Sequence, residues 1–250
     1  MLITDNFDFD TSAEWLLYNN AGARSVVNNQ LVYENQSSTT HGILLSPYTL
    51  LADFTLSVEM RLLTDYIGEQ RGGVWLLDKD KANGMQFYFE GDHCGSIYAP
   101  SIRTDGRHPA YRDWLNTPIS PTFNSGKVFT MKIVKTGNNI NYYLDNVLMR
   151  SMTAIADIKY FALFAHGSKV AYDNIQFDAL AVTGNSKQDD GTSSRFILIN
   201  NWQTGDFIKK ITPRANGDWK YIAPNTNKLI ISHIGNDGFA PKIDAPITPA

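Results

Sequence analysis

Nine consecutive residues constrain this chain more than any others. Phe54-Thr55-Leu56-Ser57-Val58-Glu59-Met60-Arg61-Leu62 has apolar side chains at every even position and polar ones at every odd position. Successive side chains of a strand point to opposite faces, so the segment is a strand with one face on a core. Met85-Gln86-Phe87-Tyr88-Phe89-Glu90, Phe129-Thr130-Met131-Lys132-Ile133 and Ile140-Asn141-Tyr142-Tyr143-Leu144 repeat the pattern. No window shows the 3.6-residue period of an amphipathic helix. Gly72-Gly73, Asn83-Gly84, Gly137-Asn138-Asn139, Asp145-Asn146 and Gly167-Ser168 punctuate the strands with turn chemistry. Strands are expected near residues 25–34, 43–46, 53–63, 72–78, 85–90, 94–98, 127–136, 139–150, 158–165 and 170–177, enough for two packed antiparallel sheets.

After Phe177 the pattern changes. Val182-Thr183-Gly184-Asn185-Ser186-Lys187-Gln188-Asp189-Asp190-Gly191-Thr192 is polar and turn-rich, a linker or a short strand followed by a loop. Shorter strands follow at 195–199, 207–211, 219–222 and 228–234, separated by Thr204-Gly205-Asp206 and Asn216-Gly217-Asp218. The expected fold is therefore all-β: a jelly-roll β-sandwich over 1–177 and a small β-sandwich over 178–250. With 43% hydrophobic and 12% aromatic residues, the chain can fill such cores. Its net charge of −3 offers no field for nucleic acid or an anionic membrane, and neither partner is expected. The single Cys94 cannot close an internal disulfide. Met1-Leu2-Ile3-Thr4-Asp5-Asn6 lacks the basic region and apolar run of a secretory leader, so synthesis in the cytosol is expected.

Asp5-Asn6-Phe7-Asp8, then Asn29-Gln30-Leu31-Val32-Tyr33, then Tyr172-Asp173-Asn174-Ile175-Gln176-Phe177 resembles, in that order, the concanavalin A-like lectin/glucanase superfamily. More narrowly it looks like the laminin-G-like modules, and the resemblance covers about residues 3–178. It implies that the first and last strands pair and that Lys127–Lys135 and Asn139–Met149 form a hairpin. It also implies a structural calcium near Asp5 and Asp173, and no other cofactor. The tail, with Trp202-Gln203-Thr204-Gly205, Ala215-Asn216-Gly217-Asp218-Trp219 and Gly238-Phe239-Ala240-Pro241, resembles a carboxypeptidase-regulatory-like or immunoglobulin-like β-module. Such tails resemble parts of bacteriophage structural proteins. The combination implies a virion protein of a tail fibre, tail tip or surface decoration, whose partners are a host-surface glycan, other virion proteins and further copies of itself.

Chemistry is less evident. A retaining glycosidase needs two carboxylates about 5 Å apart, and neither Glu-x-Asp-x-x-Glu nor Glu-x-Asp-x-Glu occurs. Glu90 and Asp92 are separated by Gly91 and read as a solvated strand end. His41, His93, His108, His166 and His233 are scattered, and no Gly-x-Ser-x-Gly nucleophile setting is present. The expectation is a protein without enzymatic activity, with a glycoside-processing enzyme or a purely structural virion protein as alternatives. Asp78-Lys79-Asp80-Lys81-Ala82-Asn83-Gly84 offers oxygen ligands but reads first as a polar hairpin turn. If Val74, Leu76, Phe87 and Phe89 face the core, alternation turns Trp75, Gln86 and Tyr88 to the other face. Sugars stack on exposed rings, so Trp75, Gln86 and Tyr88 form the expected carbohydrate site. Tyr111 and Trp114 border it from the long loop Ala99–Gly126. The same loop could instead cover that face, and the sequence leaves the two outcomes open.

Overall fold

The computed structural model describes the chain except residues 1, 6, 8–13, 20, 38, 67–70, 100–111, 120–121, 124–125, 189, 224–225, 236–240 and 250. For residues 3, 95–99 and 112–117 it describes the backbone only. The chain divides into two compact units, Leu2–Asp178 and Ala179–Ala250.

In the first unit the described strands form two sheets. One contains, from edge to edge, β13 (Val147–Thr153), β12 (Asn139–Leu144), β11 (Phe129–Thr136), β6 (Phe54–Asp65), β15 (Ser168–Asp178), β4 (Gln30–Asn35) and β3 (Ala23–Val27), with β1 (Leu2–Asp5) also on β15. The other runs β10 (Arg112–Pro118), β9 (His93–Ala99), β8 (Gly84–Glu90), β7 (Arg71–Asp78), β14 (Ile158–His166), β5 (Gly42–Thr49) and β2 (Leu16–Leu17). All these pairings are antiparallel, and the sheets form a jelly-roll sandwich. β1 lies on β15, with Asp5 opposite Ile175.

The alternation that announced β6 holds residue by residue: Phe54, Leu56, Val58, Met60 and Leu62 are buried, and Thr55, Ser57, Glu59 and Arg61 are not. Opposite them the second sheet contributes Val74, Leu76, Phe87, Phe89, Phe161 and Leu163, all fully buried. Phe89 stacks on Phe123 at 4.8 Å between ring centroids, and Phe87 meets Tyr142 at 5.3 Å. Polar groups also cross this core, among them the Asn35 carboxamide, which donates to the Ala165 carbonyl (3.0 Å), and the Tyr172 hydroxyl. The Tyr172 hydroxyl on β15 donates to the Phe164 carbonyl (2.6 Å) and accepts from the Gly73 N–H (3.2 Å), so it bonds two strands of the facing sheet. Complete burial pushes its ionisation far above the usual tyrosine range and keeps the hydroxyl a donor.

Two expected strands are in fact hairpins. The segment 25–34 is split by Asn28-Asn29 (φ 51° and 58°) into β3 and β4, and 139–150 by Asp145-Asn146 (φ 48° and 67°) into β12 and β13. Positive φ at both central residues matches the two-residue turns whose twist suits a hairpin, and Asn and Asp tolerate it without glycine. The expected loop after Ala99 contains a further strand, β10, which pairs with β9.

The second unit begins with a strand where a linker was one expectation. β16 (Leu180–Asn185) pairs with β19 (Asp218–Ala223), and a four-stranded sheet runs β18 (Phe207–Ile211), β17 (Phe196–Asn201), β20 (Leu229–Ile234) and β21 (Lys242–Ile247). Val182, Ile197, Ile199, Trp219, Leu229 and Ile231 form its core. Gly184 is needed there, because a Cβ would lie 2.7 Å from the Trp219 ring.

Replacing Tyr172 by Phe keeps the core volume but leaves the Gly73 N–H and the Phe164 carbonyl without their cross-sheet partner. The expected loss is about 1–3 kcal/mol, read as a lower urea midpoint with an unchanged m-value.

Candidate functional site

The site grows out of strand register. In the second sheet His166 lies opposite Arg71, Arg71 opposite Glu90, and Glu90 opposite His93. Cross-strand partners point to the same face, so these four side chains form one lateral row over β14, β7, β8 and β9. They belong to the face away from the sandwich core, since the flanking Gly72, Phe89 and Cys94 are on the core side. The His41 ring, at the start of β5, lies 4.3 Å from that of His166 and extends the row to a fifth strand.

The row is tightly bonded. An Arg71 guanidinium nitrogen is 2.5 Å from a Glu90 carboxylate oxygen, and both side chains are about one quarter exposed. Ser168 donates its hydroxyl to the Arg71 carbonyl, which fixes the end of β7. The Asn19 side chain donates to the His41 carbonyl (2.6 Å) and accepts from the Ile43 N–H (3.1 Å), holding the chain where it enters β5. His41 stacks on Phe164, and both His41 and His166 are buried. His93 is partly exposed, with Nδ1 2.5 Å from an Asp92 carboxylate oxygen.

Next to this row, the same face carries Ile43, Leu45, Trp75, Leu77, Tyr88, Ala162 and Phe164 as one packed cluster. Alternation does place Trp75, Gln86 and Tyr88 together and opposite Val74, Leu76, Phe87 and Phe89. The expectation that these rings face solvent is corrected: Trp75 is fully buried and Tyr88 and Gln86 are 2% exposed. Tyr111 lies outside the described residues, and for Trp114 only the backbone, on β10, is described. Thus the open chemistry of this face, among the described residues, lies at Arg71, Glu90 and His93 and not at the rings.

The two carboxylates expected near calcium have different partners. Asp5 accepts from the Tyr48 hydroxyl (3.0 Å) and the Phe7 N–H (3.2 Å), whereas Asp173 accepts from the Gln30 carboxamide (3.3 Å) and the Asn174 N–H (2.8 Å). Asp78 closes its own hairpin, accepting from the N–H groups of Ala82 and Asn83 and from the Asn83 side chain. Beside it is a pocket of about 270 Å³, lined also by Lys79, Asp80 and Asp157. Among the described residues no group of three or more His, Cys, Asp or Glu is arranged to hold a metal ion.

Residues 4–178 match the model of the 3-keto-alpha-glucoside-1,2-lyase-like domain. The chain belongs to that family. No curated protein sequence matches it significantly. Among solved structures it is similar to the carbohydrate-binding module CBM66 from Bacillus subtilis (TM-score 0.52, 18% identity, 66% of this chain and 96% of that one). It is also similar to a non-specific endo-β-1,3(4)-glucanase of family GH16 (0.52, 12%, 71% and 91%) and to a Bacillus subtilis protein of unknown function with a galectin-like fold (0.51, 10%, 70% and 94%). At such identities the structures share the fold. The expectation of a chain without enzymatic activity is corrected, since the family is named for a lyase and its neighbours include glycoside-cleaving enzymes. These similarities, two of them to a carbohydrate-binding module and a glucanase, give no support to a phage virion.

With Trp75 and Phe87 both fully buried, on opposite faces of the second sheet, Trp75→Ala creates a cavity just as Phe87→Ala does. Each is expected to cost about 3–5 kcal/mol, and thermal melts of the two variants should fall together.

Proposed function

We propose that the first unit takes a carbohydrate at the Arg71–Glu90–His93 end of its second sheet and transfers a proton within it, with His41 and His166 behind. The observation that carries this reading is the pairing of two imidazoles, with rings 4.3 Å apart, beside a guanidinium–carboxylate pair in one lateral row. Family membership supports a keto sugar as substrate. A carbonyl at C3 of a glycoside acidifies the C2–H bond. A base removes that proton, the electrons form an enolate, and the enolate then re-forms the carbonyl as the C1–O bond breaks. The departing glycosidic oxygen takes up a proton, which leaves a C1=C2 double bond.

This sequence needs a proton carrier and a fixed positive charge at the enolate oxygen. The His41–His166 pair supplies the first and Arg71 the second, with Glu90 fixing the guanidinium. No carboxylate pair at glycosidase spacing is required, which is why its absence does not argue against catalysis here. The carbohydrate-binding module among the structural neighbours supports a second reading, binding without turnover. The virion setting, host glycan and self-association expected from the tail are not needed for either.

A p-nitrophenyl 3-keto-α-glucoside and its unoxidised parent separate the two. Release of nitrophenol from the keto sugar alone is expected, and His166→Gln or Arg71→Gln should lower kcat roughly a hundredfold or more while calorimetric binding persists. Binding without release by the wild type would leave a binding module.

A further inference from the structure

The chain's net charge of −3 hides an uneven distribution. The second unit carries eight Lys and Arg against six Asp, whereas the first carries fourteen basic residues against nineteen acidic ones. Charge asymmetry of this kind points to a localised electrostatic contact that whole-chain charge conceals.

Some of that positive charge lies on and beside a hairpin with an apolar tip. Trp202 is 45% exposed, Phe207 61% and Ile208 39%, in the turn and edge strand of the β17–β18 hairpin. Lys209 and Lys210 follow directly in β18, with the Lys210 ammonium 4.2 Å over the Phe196 ring at the other end of the hairpin. Lys228 lies beside the ring-bearing turn, because its carbonyl accepts the Trp202 N–H (3.0 Å). The turn is rigid: the Asn201 carboxamide oxygen accepts the N–H groups of Gln203 (2.8 Å) and Thr204 (3.2 Å), and the Asn201 N–H donates to the Asp206 carbonyl (2.8 Å). The acid at the tip, Asp206, is bonded to the Thr204 hydroxyl (2.7 Å).

We propose that this tip docks on an anionic lipid surface, with Trp202, Phe207 and Ile208 entering the interfacial layer and Lys228 against the headgroups. Indole and phenyl rings with nearby lysines suit that layer, since the rings bury their apolar bodies while ammonium groups remain among the phosphates. A hydrogen-bonded turn presents the rings without an ordering cost at contact. A second copy of the chain fits less well, because two-fold pairing would place these lysines against their own copies. Pairing along the edges is also opposed, by Lys209 and Lys210 in β18 and by Pro246 in β21. Rings projecting from a turn and an edge strand make a protruding tip, which a fluid interface accepts and a protein partner would have to enclose.

Sedimentation of the full chain with phosphatidylcholine vesicles, with and without phosphatidylglycerol, tests this. Partition onto the anionic vesicles alone is expected, weakening as salt rises. Trp202→Ala and Phe207→Ser should each weaken it roughly tenfold with unchanged thermal melts, and Lys228→Gln should flatten the salt dependence. The proposal is overturned if anionic vesicles bind no protein, if the ring variants bind as the wild type does, or if neutral vesicles bind equally. It also falls if light scattering shows a wild-type dimer that Phe207→Ser dissociates, which would make the tip a protein interface.

Discussion

The bond from Tyr172 to the facing sheet holds together what the first unit needs. β15 is the most shared strand of its sheet, pairing with β6, β4 and β1, and its Tyr172 hydroxyl reaches across the core to Phe164 and Gly73. These two residues are themselves register partners, on β14 and β7. Two positions further along the same strands are His166 and Arg71, also partners. A shift of register between β14 and β7 would break the hydroxyl's two bonds and separate the imidazole from the guanidinium. Gly73 makes the arrangement sterically feasible, since a Cβ there would collide with the Phe87 carbonyl. One buried polar contact thus couples sandwich packing to the chemistry on the far side of the sheet.

Around β7 the second sheet is apolar on both faces. Val74 and Leu76 fill the sandwich while Trp75 and Leu77 fill the opposite cluster, so β7 is buried along nearly its whole length. A strand buried on both sides loses the simple code in which polar means outside. The cost of burying chemistry in such a face is met by pairing, with Glu90 on Arg71. Polar groups are retained at the strand ends, where solvent and a ligand can reach them.

The two units treat exposure differently. In the first, most large rings are packed, and the described functional groups lie in a half-buried row. In the second, a small core is held by Trp219 over Gly184, and the edges of its four-stranded sheet carry Lys209, Lys210 and Pro246, which discourage pairing with another chain. Apolar side chains left exposed between such protected edges are a property of the surface and not of an unfinished sheet.

The sequence by itself determined the class of fold, most of the strand positions and the inward face of each alternating strand, because period-two patterning depends only on neighbours along the chain. The Arg71–Glu90 pair was not legible, because the hairpin turns through Asp78–Asn83 with its register centred between Asp80 and Lys81, whereas counting outward from Asn83-Gly84 would set Glu90 opposite Leu77. The hairpin at Asn28-Asn29 was harder to see because its turn lacks glycine, whereas Asp145-Asn146 carried turn chemistry in the sequence itself. Only the tertiary structure decided that Trp75 and Tyr88 are buried and that the His41 ring lies against that of His166, which is opposite Arg71. Those contacts join β5, β14 and β7, which are far apart in sequence. Such pairings are fixed by the order in which strands assemble within one sheet, and local pattern carries no record of which distant strand becomes a neighbour.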